Sequence, residues 1–328
     1  MNFTEKINSS LVFVDTFAKT QSVMDQFKGK NIRIAYSGGA DSDTIMWLMR
    51  WAGYNITGVF YDTGLEYQAT KNHIEYMKSE GFDIEIIKPS IPIPTSAKRY
   101  GVPFISKRVS QFLYGMQLNN FDFVNDGNLS FDILIQKYPK IKSYLEWWCN
   151  KNDKIRYNIE WNKGLREFLI QYGLPFSVSS KCCDKAKKDP IKKYAKENKI
   201  DLMLLGIRKA EGGMRTIIYN SCYLESKEHS YSMYFPLFWW SNEDKELFDT
   251  EMGIKHSDAY SVYGLKRTGC AGCPFGMDFE EKISVVKNFE PKLDKAINNI
   301  FGKSYEWTRL YNEFKKDYKS ISFKQKTI

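Results

Sequence analysis

The sequence lacks any stretch able to cross a bilayer. Among its 328 residues no apolar run reaches the ~18 needed for a spanning helix, so no membrane partner is expected. The opening segment MNFTEKINSS has no basic stretch leading into an apolar one, so no secretory leader is expected and a cytoplasmic location is the reading. In that compartment the six cysteines stay reduced or hold metal. There is no internal repeat and no low-complexity tract, which leaves one large globular domain or two ordinary ones. The most glycine-rich candidate loop fits neither GxxxxGK(S/T) nor GxGxxG, so the two commonest phosphate-loop signatures do not describe it.

What is present is soluble and basic. Apolar residues make up 43% and charged residues 27% of the chain, as in ordinary globular proteins. The formal charge is +9 and the pI about 9.0, which fits an anionic partner such as a nucleotide or nucleic acid and equally a lysine-rich solvated surface.

The apolar pattern alternates between short strands and amphipathic helices. IRIAY (32–36), ITGVFYD (56–62), DIEIIKP (83–89) and DLMLLGIR (201–208) read as strands. DTIMWLMRWAG (43–53), QATKNHIEYMKSEG (68–81) and DPIKKYAKENK (189–199) read as helices, the first stopping at Gly53 and the last started by Pro190. Strand and helix in turn, with short links, predict an α/β fold with a doubly wound, mostly parallel, Rossmann-like sheet and right-handed crossovers. The expected divisions are a helical lead-in over 1–30, a nucleotide-binding half over 31–90, a largely helical aromatic-rich insertion over 91–178, a second half with four cysteines over 179–278, and a basic helical tail over 279–328.

AYSGGADSD (35–43) joins the first strand to the first helix of that pattern. Ligands of open α/β sheets bind beyond the carboxyl ends of the strands, where this stretch lies. Gly38 and Gly39 let backbone N–H groups approach a phosphate, the helix N-terminus adds a favourable field, and Ser37 and Ser42 offer hydroxyls. Asp41 repels phosphate and is better suited to Mg²⁺ or to shaping the loop. The competing reading is a structural turn with a serine cap.

SGGADS resembles the SGGxDS loop of the PP-loop ATP pyrophosphatases. That resemblance implies a loop holding the β- and γ-phosphates while the α-phosphate reacts, giving AMP and pyrophosphate. Many members carry lysine where this chain has Ala40, so another cation has to serve here. YDTGLE (61–66) resembles the DTG motif of the phosphoadenylyl-sulfate (PAPS) reductase branch, which implies Asp62, Thr63 and Gly64 beside an adenine nucleotide.

Four cysteines form two pairs, Cys182 with Cys183 and Cys270 with Cys273. Four thiolates suit Zn²⁺ or an iron–sulfur cluster, and adjacent cysteines fit four iron corners better than one tetrahedral zinc. A structural zinc site and unrelated buried cysteines are the alternatives. The tandem pair, a long gap and CxxC resemble adenylyl-sulfate reductases with a [4Fe-4S] cluster and DNA phosphorothioation sulfurtransferases. Lys187 falls at a family lysine after the cysteine pair. GIRKAEGGMR (206–215) is similar to the family's GxRxxES segment and supplies Arg208 and Arg215, with Gly212 in place of the serine. Arg267 precedes CxxCP. These cations are suited to offset cluster charge and clamp phosphates. Cys149 and Cys222 match nothing and read as buried apolar cysteines.

No cysteine follows Cys273, so the tail-thiol attack of assimilatory sulfonucleotide reductases is not expected. The implied function is an enzyme that cleaves ATP·Mg²⁺ to AMP and pyrophosphate to activate an acceptor for sulfur transfer, with Asp41, Lys187 and Arg208 catalytic. Its partners would be an adenine nucleotide, a nucleic-acid acceptor and a sulfur-donor protein. The alternatives are a sulfonucleotide reductase without the tail cysteine, and a nucleotide-binding regulatory module with a structural cluster.

Overall fold

Period-two alternation builds the sheet. In the computed structural model, which describes residues 10–212, 217–225, 231–275 and 278–324, six strands form one sheet. They are β1 (Ile32–Ala35), β2 (Gly58–Tyr61), β3 (Ile84–Ile87), β4 (Leu202–Leu204), β5 (Tyr223–Leu224) and β6 (Ser232–Tyr234), in the order β3-β2-β1-β4-β6-β5. All neighbours are parallel except β5, which pairs antiparallel with β6 at the edge.

Alternate residues face opposite sides, so both faces must be covered. Ile34, Leu202 and Leu204 pack with Phe13, Ile45, Leu48, Ile74 and Phe248, side chains of the helices Leu11–Gln26, Ala40–Trp51, Gln68–Ser79 and Asn242–Glu251. Val59 and Met203 face the other way, against Tyr194 and Ala195 of the helix Asp189–Glu197 and the adjoining Ile200. The sheet is doubly wound, as the alternation of strands and helices predicts. Leu48, Leu202 and Leu204 are fully buried, each contributing about 1.5–3 kcal/mol relative to exposure.

The chain divides into two units. The first comprises Met1–Ser90 and Ala186–Cys270 and holds the sheet; the second comprises Ile91–Lys185 and Ala271–Ile328. The second unit is helical. Its helices include Ile93–Tyr100, Lys107–Leu118, Lys142–Trp148, Leu165–Tyr172, Phe279–Phe289 and Pro291–Lys324, with one isolated bridge between Val102 and Val178. Its aromatic residues mostly make its core: Phe104, Trp147, Trp148, Phe168 and Tyr311 are buried together. The Trp148 indole donates to the Gly127 carbonyl at 3.0 Å, so the ring is buried without an orphaned donor.

In the first unit β1 runs to β2 and β3 on one side, while β4 flanks β1 on the other. The strand order reverses between β1 and β4, and the crevice beyond their carboxyl ends is where such sheets hold ligands.

Candidate functional site

Both strand ends open into that crevice. After β1 the chain turns through Ser37, Gly38 and Gly39 into the helix Ala40–Trp51, and after β4 it runs through Gly206 and Arg208. Gly38 has φ +67°, and a Cβ there would come within 2.7 Å of the Thr70 methyl, so the turn demands glycine. Gly39 caps the helix, with Asp41 and Asp43 in its first turn, where the helix dipole favours negative charge.

The Ser42 hydroxyl braces the loop from inside. It donates to the Gly39 carbonyl at 2.7 Å and accepts from the Gly39 amide at 3.1 Å. Ser42 is buried, whereas Ser37 is exposed at the cleft mouth. The Ala40 amide donates to the Tyr260 hydroxyl at 3.2 Å, and Tyr260 meets the Thr268 hydroxyl at 3.2 Å. A cleft of about 450 Å³, large enough for a small-molecule ligand, opens beside the loop. Ser37, Gly39, Asp41, Ser42, Arg208 and Arg267 all line it, joined by Lys245, Tyr260, Lys266 and Thr268.

The cations are differently engaged. Arg208 donates from Nε to Asp41 Oδ1 at 2.9 Å and from Nη1 to the Asn242 side chain at 3.0 Å. Arg267 pairs with Glu211 at 3.1 Å. Lys245 pairs with Asp249. Lys266 lines the same cleft and makes no ion pair with a carboxylate among the described residues.

Beneath the loop lies a buried polar network that motif reading missed. Asp43 is fully buried and accepts from the Tyr36 hydroxyl at 2.8 Å and from His73 Nε2 and His256 Nδ1, each at 2.9 Å. The other nitrogen of His256 meets Asp249 at 2.9 Å, and Asp249 accepts from Thr44 at 2.7 Å. Burial alone would lower the His256 pKa, but hydrogen bonds to Asp249 and Asp43 and their charges outweigh it and raise it to about 9. Burial alone would raise Asp43, but the bonds from His256 and His73 hold its carboxyl below the ordinary range. The network ties the first turn of the loop helix to the helix Asn242–Glu251. A visible clue was a charged residue, Asp43, placed among core positions such as Ile45 and Met46.

The DTG segment is not part of the cleft lining. Thr63 is fully buried and donates to Glu66 at 2.6 Å, Asp62 accepts from the Gly64 amide at 3.0 Å, and none of the three lines the cleft. Burial raises the Glu66 pKa, with the Lys187 charge opposing, and Lys187 is not among the residues that line the cleft. Arg215 lies outside the described residues.

The cysteines fall in both units: Cys270 ends the first, while Cys182, Cys183 and Cys273 belong to the second. Cys182 and Cys183 occupy a short helix that continues through a π-helical turn, Asp184–Lys188, into Asp189–Glu197. Such turns are frequent at functional sites. Cys270 Sγ lies 3.8 Å from the Thr63 hydroxyl. Four thiols in two pairs are a donor set that suits an iron–sulfur group; among the described residues no three or more of His, Cys, Asp and Glu gather to hold a metal.

The first unit thus carries a cation-lined, glycine-turned cleft at the switch point of a doubly wound α/β sheet. Residues 150–275 match the phosphoadenosine phosphosulfate reductase domain family model. The match includes both cysteine pairs and Arg208, and the loop Ser37–Ser42 lies outside it. An uncharacterized protein of Methanocaldococcus jannaschii is 24% identical over 277 residues, 83% of this chain and 41% of that protein. The chain therefore spans less than half the length of that curated relative. Two solved structures align: a phosphoadenylyl-sulfate reductase from Candida auris in a phosphate complex (13% identity, TM-score 0.43, 80% of this chain and 95% of that one), and the U34-tRNA thiolase NcsA from Methanococcus maripaludis with its [4Fe-4S] cluster (14% identity, TM-score 0.37, 93% and 79%).

Proposed function

We propose that this chain is a nucleotide-dependent enzyme that cleaves ATP between its α- and β-phosphates and activates an acceptor for sulfur transfer. One observation carries the reading: a glycine-turned loop and four cations, Arg208, Lys245, Lys266 and Arg267, surround one cleft at the β1/β4 switch point. Backbone amides at the helix N-terminus and Ser37 bind the polyphosphate, Lys266 supplies the cation that Ala40 does not, and the remaining cations neutralise charge on the departing pyrophosphate. Asp41 holds Arg208 in place, and its charge is shared with Mg²⁺ when the nucleotide enters.

In the proposed reaction an acceptor oxygen attacks the α-phosphorus. The bond from that phosphorus to the bridging oxygen breaks, and pyrophosphate leaves. Hydrosulfide then attacks the adenylylated carbon: the carbon–sulfur bond forms as the carbon–oxygen bond breaks, AMP leaves with that oxygen, and the sulfhydryl proton passes to solvent. An iron–sulfur cluster on Cys182, Cys183, Cys270 and Cys273 is proposed from the donor set alone.

Supplying ATP, adenylyl sulfate and phosphoadenylyl sulfate in turn, with thiol, sulfide and nucleic acid present, separates the readings by their products. AMP with pyrophosphate from ATP is expected. Thiol-dependent sulfite, with ATP left intact, would instead make the chain a sulfonucleotide reductase.

A further inference from the structure

The net charge is not shared between the two units. Residues 91–185 and 271–328 contain 25 Lys and Arg against 16 Asp and Glu, whereas the remainder contains 23 against 23. The whole excess of +9 therefore belongs to the helical unit and not to the unit with the nucleotide cleft. A unit so charged attracts a polyanion, and its own core gives no reason for the excess.

Within that unit lies a separate cleft of about 460 Å³, walled by Trp161, Asn162, Lys163, Tyr311, Asn312 and Lys315. Among the described residues no carboxylate lines it. Trp161 ends a short 3-10 turn and is 65% exposed, although the other tryptophans of this unit, Trp147, Trp148 and Trp307, are built into its core. The rim is held by the Tyr311 hydroxyl, which donates to the Lys163 carbonyl at 2.9 Å. Lys315 lies over the Tyr311 ring at 5.3 Å, and neither it nor Lys163 pairs with a carboxylate among the described residues. The amides of Asn162 and Asn312 likewise make no side-chain hydrogen bond among the described residues.

An open indole face, two amides offering donors and acceptors, and two ammonium groups without a counter-charge match the three parts of a nucleotide in a strand: base face, base edge and phosphate. We propose that this cleft takes an unpaired nucleobase of a single-stranded polynucleotide, stacked on Trp161 and read at its edge by Asn162 and Asn312. Lys163 and Lys315 hold the flanking phosphates. A paired base presents no free face to Trp161, so duplexes are discriminated against. Pro274, which follows Cys273 in the chain, forms part of the wall and brings the bound base beside the CxxC segment. The inference gives a chemical class to the acceptor and for that purpose rests on the proposed reaction; the binding does not.

The test uses the full chain, without ATP, and a fluorescein-labelled single-stranded RNA of about 20 nucleotides, its DNA counterpart and the duplex. Anisotropy is read between about 50 and 200 mM salt. Single strands should bind more tightly than duplex. Trp161→Ala should weaken binding roughly tenfold and Trp161→Phe should restore most of it, with melting temperature unchanged because the ring is exposed. Replacing both Lys163 and Lys315 by Gln should reduce the salt slope by about 1.4. Wild-type affinity in Trp161→Ala, equal binding of duplex, binding of free mononucleotide only, or no binding at the lower salt would each overturn the proposal. Because ATP is absent, such a failure leaves the proposed reaction standing, and failure of pyrophosphate formation leaves the binding result standing.

Discussion

His256 is held between two carboxylates, so alkaline pH should loosen the helix Ala40–Trp51 that follows the loop Ser37–Gly39. Its Nδ1 meets Asp43 and its Nε2 meets Asp249, each at 2.9 Å, and its side chain is only 20% exposed. Its folded pKa is about 9, against an ordinary value near 6.5. A group raised on folding contributes its full stability below the unfolded pKa and loses it as pH climbs through the folded one. The window is therefore pH 6.5 to about 9. At ~1.36 kcal/mol per pH unit the loss across it is on the order of 3 kcal/mol. For a unit of this size that is a fall in melting temperature of roughly 6–12 °C. Asp43, whose pKa is lowered, acts in the opposite sense, losing its contribution only in acid and outside this window. The assay is circular-dichroism melting from pH 6 to 9.5 for the wild type and His256→Gln. The variant should be less stable at pH 6.5, and the gap should close by pH 9.5. Parallel curves would refute the reasoning, because they would mean that His256 carries no charge in the folded state.

Three further outcomes follow from the same structure. Trp148→Ala, which empties the centre of the helical unit and leaves the Gly127 carbonyl only its bond from Arg166, should cost about 3–5 kcal/mol in urea unfolding. Lys266→Gln should weaken ATP by severalfold while leaving AMP nearly unchanged, measured by calorimetric titration; equal losses for both would place Lys266 away from the outer phosphates. Anaerobically purified protein should carry about four irons and labile sulfide per chain, with broad absorbance near roughly 400 nm. Stoichiometric zinc without sulfide would replace the cluster by a structural metal.

The sequence reading succeeded where information is local. Each predicted strand is found, trimmed at its ends: 32–36 becomes Ile32–Ala35, and 201–208 becomes Leu202–Leu204, because the flanking residues leave the ladder for the loops of the cleft. β5 and β6 went unread because runs of two and three residues carry no periodicity. The turn Ser37–Ser42 was legible because its glycines and serines are contiguous, and Arg208 and Arg267 line the same cleft. The Asp43–His256–Asp249 network was illegible, since its members meet only after a chain separation of 213 residues. Asp62 and Thr63 show the converse. The motif was visible, but their side chains satisfy the turn itself, through Gly64 and Glu66, instead of facing the cleft. In the helical unit the aromatics were rightly weighed as core, with Trp161 the exposed exception.

The central claim is that the loop Ser37–Ser42 holds a nucleotide's phosphates, and equilibrium titration of ATP·Mg²⁺ into wild type and Gly39→Val tests it most directly. A Cβ at Gly39 would sit 3.1 Å from both the Ser37 and Tyr260 hydroxyls, so the larger side chain must occupy the space where phosphate approaches the backbone. With secondary structure and melting retained, affinity should fall at least tenfold, about 1.4 kcal/mol. Unchanged affinity in the folded variant would contradict the account and reduce the loop to a turn between β1 and its helix.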